Sequence, residues 1–320
     1  MRFLIFGAGV LGSFYAVKLL ACGHDVTVLA RGRRAAQLRT EGLVVREHGG
    51  GRTHASVNVN VNVNVNVNVN VNVNVNVIET LAPEAAYDYV LVLVRNEQVE
   101  SVLPLLAASQ QTPCIVFMFN NLEGPARLIQ VLGRERVLLG FPGAAGERAA
   151  DGSVVATVLP AWMQMTTLGE IDGRITLRLR LLAKALTKAG FPTALSTHMD
   201  AWLKTHVAVV SPIADAFYAA GDDLKALGHS KPRVTALLHA IRQAFLALRE
   251  QGIPVTPARL RGLELLPDWL LVPACQWALC TAFADFVVAR HATVAREEMA
   301  VLSEQLQARV ARSAGIAAQA

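Results

Sequence analysis

The 320-residue sequence predicts an α/β chain in which a doubly wound parallel sheet is followed by an all-helical domain. Three observations carry that prediction. Short apolar runs at residues 2–6, 25–30, 87–94 and 114–119 have strand length and alternate with helical stretches, the pattern of βαβ units. Gly7, Gly9 and Gly12 stand between the first strand and the first helix at G-x-G-x-x-G spacing. From Met199 onward nearly every segment has helical periodicity, which divides the chain into residues 1–195 and 196–320.

Composition narrows the function classes. With 53% apolar residues and 17% charged ones, the chain can fill two cores and is not a disordered protein. Its net charge of +5 comes from scattered arginines rather than a basic stripe with interleaved aromatics, so no nucleic-acid partner is expected and small anions suit it better. Cys22, Cys114, Cys275 and Cys280 show neither a C-x-x-C pair nor a framework spacing and read as reduced thiols. The first strand runs straight into the glycine loop without a cleavable leader, giving a cytoplasmic expectation. The apolar stretch 269–284 is short, holds Pro273 and Gln276, and reads as a buried core helix rather than a membrane span.

The elements follow in order. Arg2–Phe6 is a buried strand, and residues 10–22 form the first helix. Gly7 permits the tight turn, Gly9 keeps side-chain atoms away from a pyrophosphate, and Gly12 lets the helix approach the sheet. The helix N-terminus adds unpaired N–H groups and partial positive charge, so the loop of Gly7, Ala8, Gly9, Val10, Leu11 and Gly12 predicts a Rossmann-type dinucleotide cradle. At the end of the second strand, about 20 residues past the glycines, NAD enzymes place a carboxylate for the ribose 2′-hydroxyl. This chain has Arg31, Arg33 and Arg34 instead, which predicts NADP(H) through its 2′-phosphate; the bland reading is a solvated basic loop.

Residues 42–46 and the region near Val57 read as a hairpin across the turn-rich residues 48–52. Val and Asn then alternate from 57 to 77; as one strand this would span about 70 Å at roughly 3.3 Å per residue, so a short strand enlarged by repeat slippage is expected. Residues 87–94 are a strand buried on both faces, 98–108 a helix despite Pro104, and 114–119 the next strand. Ligands sit outside the carboxyl ends of such strands, which puts Arg95, Gln98 and Asn120 on the rim of the glycine loop; each also suits a residue capping its own turn. Residues 137–139, 154–158 and 163–168 read as strands and 175–189 as a helix. Helices are expected at 199–218 (bent at Pro212), 232–251, 269–290 and 291–314.

Lysine is scarce here, and Lys204 lies on an otherwise apolar helix beside Trp202, Val207 and Val210. Such a lysine either snorkels to the surface or faces a cleft. His206 points to another side of that helix, and neither His198 nor His291 has partners at metal spacing, so no metal is expected. Asp215, Asp222 and Asp223 read as helix-end and loop residues.

The glycine loop, Arg31, the Val94-Arg95-Asn96-Glu97-Gln98 turn, Asn120 and Trp202-Leu203-Lys204 stand in an order and spacing that resembles the ketopantoate reductase (2-dehydropantoate 2-reductase) family over nearly the whole chain. The resemblance implies NADPH-dependent reduction of a small 2-keto acid to a 2-hydroxy acid, a role in pantothenate biosynthesis, substrate bound between the domains, and a homodimer as the candidate assembly. It implies that Lys204 donates the proton to the carbonyl oxygen and that Asn120 touches nicotinamide and substrate. Glu298 is similar to the family's late glutamate, with Glu297 adjoining it. Among the cofactor-binding residues are residues 7–12, Arg31, Arg95, Gln98 and Asn120. The chain departs from the family in having Arg95 for a lysine. Ala208 and Ser211-Pro212 stand where the family has substrate-holding asparagines. Those departures keep two alternatives open: a related opine or other branched-acid dehydrogenase, or a non-catalytic NADP(H)-binding regulator. An FAD protein is disfavoured by the arginine that ends the second strand.

Overall fold

A computed structural model of the chain describes residues 1–49, 52–58, 75–289, 292–293 and 295–317. The expected slippage tract lies mostly outside the described residues. The chain divides into two compact units, one of Met1–Phe119 with Pro125–Met199 and one of Asn120–Gly124 with Asp200–Ala320.

The first unit is built on strands β1 (Arg2–Phe6), β2 (Asp25–Leu29), β5 (Asn76–Ile78), β6 (Tyr89–Val92), β7 (Ile115–Met118), β8 (Val137–Phe141), β11 (Thr166–Glu170) and β12 (Thr193–Leu195). Their order is β12-β11-β8-β7-β6-β1-β2-β5, parallel except where β11 meets β8. Chain order therefore reverses between β1 and β6, the switch point at which open α/β sheets bind ligands. A second sheet joins β3 (Val44–Gly49), β4 (Arg52–Asn58), β9 (Ala144–Arg148) and β10 (Val154–Val158) in the order β4-β3-β10-β9. The expected hairpin is its antiparallel β3–β4 pair.

Helix α1 (Val10–Ala21) touches β1 and β2 on one side and β3, β9 and β10 on the other. Both faces are covered, so Phe14, Tyr15, Ala16, Val17, Leu19 and Leu20 are all buried and the helix is apolar nearly all round. Tyr15 stacks on Phe191 with ring centroids 4.0 Å apart, and its hydroxyl shares a 2.6 Å hydrogen bond with Thr166. Burial of the ring raises the pKa of that hydroxyl, so it stays protonated, and it accepts from the Gly143 N–H at 3.3 Å. Helices α2 (Gly32–Glu41), α3 (Val99–Ala108), α4 (Ala126–Leu132) and α5 (Leu177–Lys188) complete this unit.

The structure corrects the sequence reading in several places. Residues 163–165 are not strand, because the N–H groups of Met163 and Gln164 both donate to the Pro160 carbonyl and close a turn before β11. Strands β9 and β12 and helices α2 and α4 were not anticipated. Gly146 in β9 carries no strand signal, yet a Cβ there would lie 2.5 Å from the Val155 carbonyl oxygen, so close approach of β10 decides that residue.

The second unit contains α6 (Met199–Ala219), α7 (Leu224–His229), α8 (Lys231–Glu250), α9 (Gly262–Leu265), α10 (Asp268–Leu279), α11 (Ala282–Ala284) and α12 (Arg296–Ala317). Its core runs through Val207, Phe217, Leu227, Leu238, Phe245 and Leu302. The expected helix 269–290 is broken after Leu279. Thr281 caps a new turn by accepting from the Ala284 N–H, and the two parts meet at 68°. Nor is this segment a buried core helix: Trp269 and Trp277 are 77% and 75% exposed, and only Leu271, Val272 and Leu279 of α10 are buried. Of the expected helix 291–314, residues 292–293 are helical, residue 295 is a turn and α12 runs from Arg296, while residues 291 and 294 lie outside the described residues. Among the described residues, no single helix is long and apolar enough to cross a membrane.

Candidate active site

In the first unit, the glycine loop leaves β1 at the switch point. Leu93, after β6, donates its N–H to the Phe6 carbonyl at 2.9 Å, which sets Gly7 against the Leu93 backbone. Gly7 has φ +114°, and a Cβ there would sit 2.5 Å from the Leu93 carbonyl oxygen. A Cβ on Gly12 would reach 1.8 Å from the Gly7 carbonyl oxygen, so these two glycines are demanded by the protein's own backbone. Gly9 is different. Nothing lies within 4 Å of a Cβ built there, so open space faces the loop and the first turn of α1. No side chain caps that turn. Unclaimed N–H groups facing an open cradle suit a pyrophosphate. Ala8 and Gly12 are buried, Val10 and Leu11 partly so.

The arginines divide. Arg31 is exposed at the N-cap of α2. Arg34, one turn further on, is folded back: its Nε donates to the Ala8 carbonyl at 3.2 Å and its guanidinium reaches Ser13 Oγ at 3.2 Å and Gln37 Oε1 at 2.7 Å. Burial pushes its pKa down to about 10, with Arg148 adding repulsion. Arg34 thus fastens the glycine loop. Arg95 and Gln98 follow β6 and close their own turn. Gln98 Oε1 accepts from the Arg95 N–H at 3.2 Å, and the Arg95 guanidinium lies 3.6 Å from Glu97.

In the second unit, Asn120–Gly124 forms a strap laid on the helices. Asn120 Nδ2 donates to Glu298 Oε1 at 2.9 Å, with both side chains buried. Glu297 is exposed, so of the two glutamates it is Glu298 that meets Asn120. Asn120 Oδ1 is buried and has no hydrogen-bond partner among the described residues. The Leu122 carbonyl accepts from Arg309 at 3.2 Å, and Glu123 accepts from Gln305 at 3.2 Å. Asn121 clasps Gly124 twice, its Oδ1 accepting from the Gly124 N–H at 2.8 Å and its Nδ2 donating to the Gly124 carbonyl at 3.0 Å.

Lys204 lies beside this strap. It is 8% exposed and does not snorkel; its Nζ donates to Asp200 Oδ2 at 2.5 Å, one helical turn back. A Cβ on Gly124 would lie 3.1 Å from Asp200 Oδ1 and 3.3 Å from Lys204 Nζ, so a glycine is what lets the strap close over the pair. Trp202 stacks on His206 with ring centroids 5.3 Å apart. Ala208 and Ser211 follow Lys204 by about one and two turns and are wholly buried, and the Ser211 hydroxyl has no partner among the described residues. No group of three or more potential metal ligands exists among the described residues.

A family model described as ketopantoate reductase PanE/ApbA matches residues 3–173, more than half of the chain. The chain belongs to that family. Its members are nicotinamide-dependent oxidoreductases. A curated relative, an uncharacterized oxidoreductase of Bacillus subtilis, is 24% identical over 261 residues, covering 81% of this chain and 78% of its own. Among solved structures, 2-dehydropantoate 2-reductase of Geobacter metallireducens has a TM-score of 0.73 at 18% identity, over 98% of this chain and 94% of its own. A D-mandelate dehydrogenase solved with NADH and anilino(oxo)acetate has a TM-score of 0.64 at 12% identity, over 98% and 99%. These likenesses show the ketopantoate reductase fold.

Asp200 and Gly124 escaped the sequence reading, and Arg34 entered it only as one of three arginines near a 2′-phosphate, not as the residue that fastens the glycine loop. Asp200 was within reach of it, because Asp-x-x-x-Lys on a helix puts the two side chains on one face. Spacing did not show that Gly124 lies against Asp200 and Lys204, or that Arg34 reaches Ala8 and Ser13, because those neighbours come from other elements.

Proposed function

We propose that this chain reduces a 2-keto acid to the 2-hydroxy acid with NADPH, and that Lys204 donates the proton to the carbonyl oxygen. The observation that carries the reading is the buried Lys204 ammonium, held by Asp200 under a strap that also presents Asn120. Reduction of a ketone needs a proton at the oxygen in the transition state, and a positioned general acid contributes about 10²- to 10⁴-fold. Two of the three ammonium donors remain available beyond the bond to Asp200. Asn120, fixed by Glu298 through its Nδ2, keeps Oδ1 as a free acceptor for cofactor or substrate.

The residues that would hold NADPH are the open cradle of residues 7–12, Arg31 at the 2′-phosphate, and Arg95 and Gln98 after β6. When bound, NADPH supplies the hydride that the carbonyl carbon gains. An Arg31 guanidinium on a phosphate is worth about 1.5–3 kcal/mol. Arg31→Ala is therefore expected to raise the KM for NADPH by roughly 10- to 100-fold while leaving the KM for NADH nearly unchanged. Initial rates with both cofactors check this.

The substrate side points away from a hydroxyl-rich acid. Ala208 supplies no amide, and the Ser211 hydroxyl is a single short donor in a buried setting. We read the preferred substrate as a 2-keto acid with a largely apolar side chain, taken ahead of ketopantoate. NADPH oxidation across a panel of branched, aryl-substituted and hydroxylated 2-keto acids tests both levels. Turnover confined to ketopantoate removes the side-chain preference. Tight NADPH binding with no turnover on any 2-keto acid removes the enzymatic reading and leaves a binding protein.

A further inference from the structure

We infer that Asp200 positions Lys204 and returns its proton after each turnover, an inference that rests on the reading of Lys204 as proton donor. The two side chains share one helical face and are joined by a 2.5 Å bond. Their exposures differ in a telling way: the Lys204 side chain is 11% exposed and that of Asp200 38%. A buried ammonium that gives up a proton cannot regain it directly from bulk water. The Asp200 side chain, bonded to it through Oδ2 and partly exposed, provides the link. Asp200 Oδ1 is a free acceptor, being buried without a hydrogen-bond partner among the described residues. It faces Gly124, whose missing Cβ leaves room for it. Arg309 is close enough for Asp200 and Glu123 to offset part of the drop in its pKa, which burial and Arg312 cause.

The step balances. An N–H bond of the Lys204 ammonium breaks as an O–H bond forms on the substrate oxygen, and the electron pair stays on Nζ. NADPH is the reductant. Asp200 then takes a proton from solvent and passes it to Nζ, so that one solvent proton is consumed per turnover and both side chains return to their starting charge.

The test separates the first turnover from the later ones. Asp200→Asn keeps an oxygen that accepts from the Lys204 ammonium but cannot carry a proton. With NADPH prebound and substrate mixed in rapidly, the first turnover of this variant is expected to stay within about threefold of the parent. Its steady-state kcat is expected to fall about tenfold or more, with recovery on adding a small carboxylic acid buffer. Asp200→Glu should restore most of the steady-state rate, and Asp200→Ala should slow both phases because the ammonium loses its holder. An equal loss in both phases for Asp200→Asn, or no loss in either, overturns the inference. Lys204→Ala, run alongside, keeps the two claims apart. A first turnover that survives Lys204→Ala unchanged brings down the proton-donor reading itself. Its loss there, with equal phases in Asp200→Asn, brings down only the role of Asp200.

Discussion

Lys204→Ala is expected to lower kcat by about 10²- to 10⁴-fold while NADPH still binds with unchanged affinity. The expectation rests on where the ammonium is, for it is buried and anchored to Asp200 beside the strap that carries Asn120. Removing it takes away a proton donor aligned before the chemistry begins, and water does not replace a donor of that geometry. The substitution also relieves the protein of a buried charge but leaves Asp200 unpaired, partly in solvent, where the cost is modest. Folding should therefore persist, and the loss should appear in kcat. Titration of NADPH fluorescence together with steady-state rates checks both halves. A kcat reduced less than about fivefold is too little for a general acid and removes Lys204 from that role.

The second large effect separates two glycines of one motif. Gly12→Ala places a methyl 1.8 Å from the Gly7 carbonyl oxygen and 3.2 Å from Ile5 Cγ2, against backbone and sheet that have nowhere to go. We expect about 3 kcal/mol or more of destabilisation, the upper end for overpacking, and loss of NADPH binding as the loop is displaced. Gly9→Ala meets nothing within 4 Å and has φ −73°, which alanine adopts freely. Its stability should change by no more than about 0.5 kcal/mol, while its affinity for NADPH falls at least about tenfold because the methyl occupies the phosphate's space. Urea unfolding and cofactor titration on the two variants make the comparison. Equal stabilities would mean that the glycine loop does not lie against its own helix as the structure has it; full NADPH affinity in Gly9→Ala would mean that the open cradle is not the pyrophosphate site.

The same two glycines show what was legible in the sequence. The loop is local: strand, turn and the first turn of the helix fall within twelve residues, so spacing alone predicts which glycine serves the turn, the ligand and the packing. The buried strands at β1, β6 and β7 were legible for a similar reason, because burial on both faces leaves continuous apolar runs. Strand β9 was not, since Ala144–Arg148 owes its pairing to Gly146 lying flat on β10. The three arginines after β2 look equivalent in sequence. Their separation into an exposed Arg31 and a loop-fastening Arg34 depends on how α2 is turned. The adjacent Glu297 and Glu298 are likewise alike until the angular step of a helix, about 100° per residue, buries one and exposes the other.

By itself, the sequence determined the α/β class, the dinucleotide loop, the missing ribose-binding carboxylate and the lysine on the apolar helix that opens the second domain, because each is written in the spacing of near neighbours. Only the tertiary structure decided that Lys204 is buried against Asp200, that Asn120 meets Glu298 across 178 residues, and that Gly124 closes the strap over them. Those relations depend on which faces of distant elements pack together, and packing is a property of the whole chain rather than of any stretch within it.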